Sequence, residues 1–210
     1  MGRTLGVSQI MNKKYDYYEL DQEWINGVGL LSKPFTLLVY GKPKNGKTSF
    51  VMKLCKHLTK FGKVYYNSAE EGDSKTIQDA LILAKMHEAP AGKFMIGDRD
   101  TFAEMKEKLA KKNSGAFVVI DSIDYLYFDV HQYKKLIEEF HTKSFIIISW
   151  EKGGEPKSQA ARDIKHMVGA VVHVKNHVAH TIGRYGPTEP YVIWDKKTPK
   201  KEEQLQIFKS

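Results

Sequence analysis

Cysteine is nearly absent from this chain: Cys55 is the only thiol in 210 residues. A lone thiol excludes an internal disulfide, and its place on the apolar side of a helical pattern reads as a small buried side chain. Long hydrophobic runs are lacking too. No stretch approaches the roughly 20 apolar residues of a membrane span, so no membrane association is expected. The opening Met1-Gly2-Arg3-Thr4-Leu5-Gly6 has no signal-peptide core, and Gly6 stands where a myristoylation signal needs a hydroxyl residue. Internal repeats and low-complexity linkers are missing. These absences predict a cytoplasmic protein. The remaining composition, 41% hydrophobic and 28% charged, is that of an ordinary globular domain. A formal charge of +8 suits a polyanionic partner as well as it suits solubility.

What is present begins with Gly41-Lys42-Pro43-Lys44-Asn45-Gly46-Lys47-Thr48, which reads G-x-x-x-x-G-K-T. The β-branched and apolar run 35–40 precedes it. Ser49, Phe50, Val51, Leu54, Cys55, Leu58 and Phe61 follow at roughly helical spacing. Strand, glycine loop and helix are the context of a phosphate-binding loop. Its backbone N–H groups and the helix dipole would cradle phosphate. Lys47 would reach the β- and γ-phosphates of ATP, and the Thr48 hydroxyl would ligate Mg²⁺. Residues 41–49 are thus the expected nucleotide site.

Further along, strands are expected at 63–67, 94–96, 116–121, 144–148 and 170–174. An antiparallel pair at 178–184 and 190–194 follows. Helices are expected to about 61 with Gly62 as C-cap, after Asp73 or Ser74, from Thr101, around Tyr133–Phe140 and near 160–167. Residues 1–33 form a lead-in in which Tyr15, Tyr17, Tyr18, Leu20 and Trp24 pack on the sheet. Asn26-Gly27 and Gly29 are read there as a turn, and residues 149–158 as a polar loop. This alternation predicts one α/β domain over 1–195, a mostly parallel sheet with helices on both faces, and a charged tail over 196–210.

Parallel sheets bind ligands at their C-terminal edge, where Glu70, Glu71 and Asp121 are expected. Asp121, ending an apolar strand, would hold Mg²⁺ through water. One glutamate would activate the attacking water, and Glu70 is favoured because adjacent side chains on extended backbone diverge. His173, His177 and His180 are expected on different faces or in a turn, which argues against a metal site. Trp150 and Tyr125 stand near strand ends, where packing is commoner than base stacking.

Tyr66-Asn67-Ser68-Ala69-Glu70-Glu71 resembles the segment after the second strand in RecA, RadA and KaiC-type ATPases, and Val118-Val119-Ile120-Asp121-Ser122-Ile123 resembles their Walker B strand. Ile164-Lys165-His166-Met167-Val168 and Arg184-Tyr185-Gly186-Pro187-Thr188 resemble later pieces of the RadA branch, although Ile182 replaces a lysine of that second motif. The resemblance spans about residues 35–194. It is similar to the short RecA-like cores of phages and mobile elements. It implies a three-layer RecA-like fold, Mg²⁺-dependent ATP hydrolysis, self-association into a ring or filament, and Arg184 acting on a neighbour's γ-phosphate. It also implies DNA, single-stranded by preference, at loops 122–130 and 149–161. The first of these loops is acidic and aromatic. The second offers Lys152, Lys157 and Arg162. A KaiC-like regulatory module and a small-molecule kinase are the alternative functions. The kinase is disfavoured because Arg99 is the one arginine between residues 73 and 115.

Overall fold

The computed structural model describes residues 4–194. The charged tail and its Lys196, Lys197, Lys200 and Lys201 lie outside the described residues. Strands β1 (Thr36–Gly41), β2 (Val64–Ser68), β3 (Phe94–Asp98), β4 (Phe117–Asp121), β5 (Ser144–Lys152) and β7 (Ala170–Lys175) are mutually parallel. Strand β8 (Val178–Gly183) runs antiparallel to β7, and β9 (Tyr191–Val192) antiparallel to β8. The order across the sheet is β3-β2-β4-β5-β1-β7-β8-β9, with β6 (Glu155–Pro156) folded back on the end of β5.

The central strands are continuously apolar because both faces are covered. Helices α1 (Val7–Met11) and α2 (Gln22–Val28) precede β1. Leu37 and Val39 of β1 enter one core with Phe50, Leu54 and Leu58 of α3 (Lys47–Leu58) and with Ile77 of α4 (Lys75–Leu83). Leu38, between them, enters the other core. There it meets Met105 and Leu109 of α5 (Phe102–Ala110), Leu136 of α6 (Val130–Glu139) and Ile164 of α7 (Gln159–Lys165). Helix starts follow the side chains at their caps. Ser74 Oγ accepts from the Ile77 N–H, and Thr101 and Asp129 form capping boxes with Glu104 and Gln132.

Four local expectations are corrected. Asn26 and Gly27 are inside a helix, Gln22–Val28, and only Gly29 (φ 81°) breaks it. That helix exists because Trp24 and Val28 are buried on one side of it; a tertiary contact outweighs the turn propensity of Asn-Gly. Of the lead-in tyrosines, Tyr18 packs on Phe35, Phe61 and Phe117, whereas Tyr15 and Tyr17 are exposed. Helix α3 ends at Leu58 with Thr59 as its cap, so Gly62 is not the C-cap. Residues 149–158 are not a loop: β5 continues to Lys152 and pairs with β6 as a hairpin, Glu151 opposite Pro156.

Candidate active site

β1 ends at Gly41, where the chain leaves the sheet for α3. A Cβ at Gly41 would lie 2.2 Å from the Val174 carbonyl oxygen, so only glycine allows β1 and β7 to approach this closely. Gly46, at φ 97°, takes the left-handed conformation that turns the loop into the helix. The turn between β7 and β8 leans on the loop, and the Asn176 N–H donates to Asn45 Oδ1 at 3.2 Å. Lys47 opens α3, and its Nζ curls over the loop to donate to the carbonyls of Gly41 (2.8 Å) and Lys42 (3.2 Å). Burial lowers the Lys47 pKa from its ordinary value; Asp121, Glu70, Glu151 and Asp124 oppose that shift.

The strand order brings the carboxylates to this lysine. Asp121 ends β4, and its carboxylate accepts a hydrogen bond from the phenol of Tyr66 on β2. Burial pushes the Asp121 carboxyl up to about 6, against the Tyr66 hydrogen bond and with a contribution from Glu70. The Asp121–Ser122 peptide is cis. Glu70, two residues past β2, donates its backbone N–H to the Asp121 carbonyl at 3.2 Å. Its Oε2 accepts from Ser122 Oγ at 3.3 Å and from Trp150 Nε1 at 3.0 Å. Glu71 goes elsewhere. Its Oε2 accepts from Ser74 Oγ at 3.3 Å beside α4, and its backbone carbonyl accepts from Arg99. The two neighbouring glutamates therefore diverge.

A nucleotide triphosphate with Mg²⁺ fits this donor set. The loop amides and Lys47 match phosphate oxygens, and Thr48 and Asp121 offer the hard oxygen ligands Mg²⁺ takes. Among the described residues no three His, Cys, Asp or Glu side chains converge as metal ligands. A cation here would therefore complete its shell with phosphate and water.

Other expected site residues are dispersed. Lys152 is exposed near the tip of the β5–β6 hairpin, and the Lys157 ammonium lies 4.0 Å from the Trp150 ring centroid. Arg162 is spent on its own chain, bonding the carbonyls of Pro156 and Lys157 and the Gln159 side chain. That bracing of the hairpin from α7 weakens its case as a phosphate contact. Arg184 follows β8 at the sheet's N-terminal edge, where its N–H meets the Gly169 carbonyl. The loop at residues 41–48 is at the opposite edge, roughly a strand's length or about 15 Å away. His173 and His180 are register partners and so share a face, contrary to expectation. His173 bonds Glu151 at 2.9 Å and stacks on Tyr40, while His177 packs on Trp194.

Two contributors escaped sequence reasoning. Tyr66 reads as a core residue of an apolar strand, and Trp150 as edge packing. What could have flagged them is their place at strand C-termini, but their neighbours depend on a strand order that a one-dimensional pattern does not contain.

No family model and no curated protein matches the chain. Solved structures do match. One is a prototypical ATPase from the type III secretion system of pathogenic bacteria, with TM-score 0.55 and 9% identity over 82% of this chain and 65% of that one. Another is the ATP synthase subunit NeqB from Nanoarcheaum equitans, with TM-score 0.51 and 13% identity over 76% of this chain and 50% of that one. This chain thus spans less than two thirds of either. At these identities the likeness is one of fold: a RecA-like α/β architecture, with a mostly parallel sheet and an antiparallel C-terminal hairpin.

Proposed function

We propose that the chain is a Mg²⁺-dependent ATPase that self-associates and acts on single-stranded DNA, in recombination, annealing or repair, of the kind phages and mobile elements use. The observation that carries the reading is the convergence of Lys47, Asp121 and Glu70 on one phosphate loop. In-line attack of water on the γ-phosphate needs charge neutralisation and a base. Lys47 supplies the first from the loop and holds the transferring oxygens. Thr48 and Asp121 would hold Mg²⁺, which spreads the developing negative charge when bound. Glu70 takes the water proton.

The DNA part rests on different features. Tyr125 and Tyr127 are exposed beside Lys157, an arrangement of aromatic faces and cation suited to single strands. Self-association rests on the resemblance at Arg184; that residue lies at the edge away from its own loop, so any part it takes in hydrolysis is on another subunit's nucleotide. The test is ATP turnover with and without a single-stranded oligonucleotide. Turnover that the oligonucleotide raises supports the reading. Turnover indifferent to it favours a nucleotide-gated regulatory module, and no turnover rejects an ATPase.

A further inference from the structure

Trp150 stands level with Gly41 in the β1–β5 register. Its backbone is anchored and one face of its ring is covered. The Trp150 backbone N–H donates to Asp124 Oδ2 at 2.8 Å, and Ser149 Oγ donates to the same oxygen at 2.7 Å. The Lys157 ammonium lies 4.0 Å from the ring centroid. The indole Nε1–H then points at Glu70 Oε2, 3.0 Å away. An indole N–H is a donor only, with one proton and one direction. A ring on an anchored backbone, packed under the Lys157 ammonium, can therefore orient the carboxylate it bonds. The Ser122 hydroxyl reaches the same oxygen at 3.3 Å, so Glu70 is anchored through Oε2, and its other oxygen is left for a water proton.

We propose that Trp150 is a positioning residue for hydrolysis: its indole N–H holds the Glu70 side chain in the rotamer that takes the proton from water. The inference rests on the reading of Glu70 as the base. A general base works only within hydrogen-bond reach of its proton, so a freely rotating carboxylate at residue 70 spends much of its time unproductively. Trp150→Phe keeps a flat aromatic ring and a face for Lys157 but removes the donor.

The test compares steady-state ATP hydrolysis by wild type, Trp150→Phe, Glu70→Gln and the double variant. Trp150→Phe is expected to lower kcat by about 10–100-fold, the size of one hydrogen bond to a charged group, with KM unchanged. In the Glu70→Gln background the same change is expected to have no further effect, because a residue acting only through Glu70 has nothing left to position. Penalties that multiply in the double variant, or a raised KM at unchanged kcat, overturn the inference. If Glu70→Gln turns over like wild type, the base assignment fails first. If Glu70→Gln is slow and Trp150→Phe is not, the Trp150 role alone is rejected. A spectroscopic arm does not depend on Trp150→Phe folding. In ¹H–¹⁵N spectra the Trp150 indole signal, assigned by elimination with Trp24→Phe and Trp194→Phe, is expected to move on Glu70→Gln while the Trp24 signal stays. An unmoved Trp150 signal overturns the bond.

Discussion

The phenol of Tyr66 on β2 donates a hydrogen bond to the carboxylate of Asp121 on the adjacent β4. Burial and the neighbouring Asp121 charge keep that phenol protonated by raising its pKa well above the usual value. The bond also offsets part of the cost of burying Asp121. Tyr66→Phe removes the donor and leaves a buried acceptor short of a partner. It is expected to destabilise the protein by about 1–3 kcal/mol, read as a lower urea midpoint at unchanged slope. A midpoint equal to wild type would show that Asp121 finds another donor.

Lys47→Ala removes the ammonium that reaches across the loop. Hydrolysis is expected to vanish and ATP affinity to fall, measured by turnover and by nucleotide titration. Unchanged turnover would displace the active site from this loop.

Glu70 and Glu71 point to different partners, so their amide variants are expected to behave differently. Glu70→Gln should keep ATP affinity and lose about 10²–10⁴-fold in turnover, the scale of a lost general base. Glu71→Gln should stay near wild type. The reverse ranking would exchange their roles.

Single-strand affinity should fall with salt, by about 0.7 in log K per log unit of salt for each phosphate neutralised. Replacing Lys152 and Lys157 together is expected to flatten that slope, while basal hydrolysis falls by no more than in Trp150→Phe, because Lys157 packs on the Trp150 ring. Arg162 is left out of the pair because its guanidinium braces the hairpin. A double variant with the wild-type slope would take this hairpin off the DNA surface.

Arg184 is at the sheet edge opposite its own phosphate loop, and a guanidinium can hold two phosphate oxygens at once. If it serves a neighbour, turnover per subunit rises with protein concentration, and Arg184→Ala binds ATP but hydrolyses it slowly. Mixing that variant with Glu70→Gln should restore part of the activity. At some interfaces Glu70 comes from one chain and Arg184 from the other. No recovery in oligomers shown to be mixed, or full activity in a monomer at every concentration, would end the trans role.

The loop itself was legible because its requirements are local. Two glycines, a lysine and a hydroxyl residue at set spacing, between an apolar strand and an amphipathic helix, are all read along the chain. The buried strands were legible for a similar reason, since cover on both faces demands unbroken apolar runs such as Phe117-Val118-Val119-Ile120. Segments whose structure is decided by partners were not. The helix at Gln22–Val28 contains Asn-Gly yet forms because Trp24 packs on Phe50 and Tyr191. The β5–β6 hairpin looked like a loop because its exposed residues carry no apolar alternation.

By itself, then, the sequence determined the phosphate loop, the layered α/β class and the presence of carboxylates at two strand ends. Those follow from dihedral preference, period and burial, which act over a few residues. Tertiary structure alone decided which of Glu70 and Glu71 turns toward Asp121 and that Trp150 and Tyr66 hold those carboxylates. It also decided that Arg184 ends far from its own loop. The carboxylate contacts join residues 55 and 80 positions apart on or just past strands of one sheet, and Arg184 is placed by the antiparallel pairing of β8 with β7; hydrogen bonds and burial act across those contacts, not along the chain.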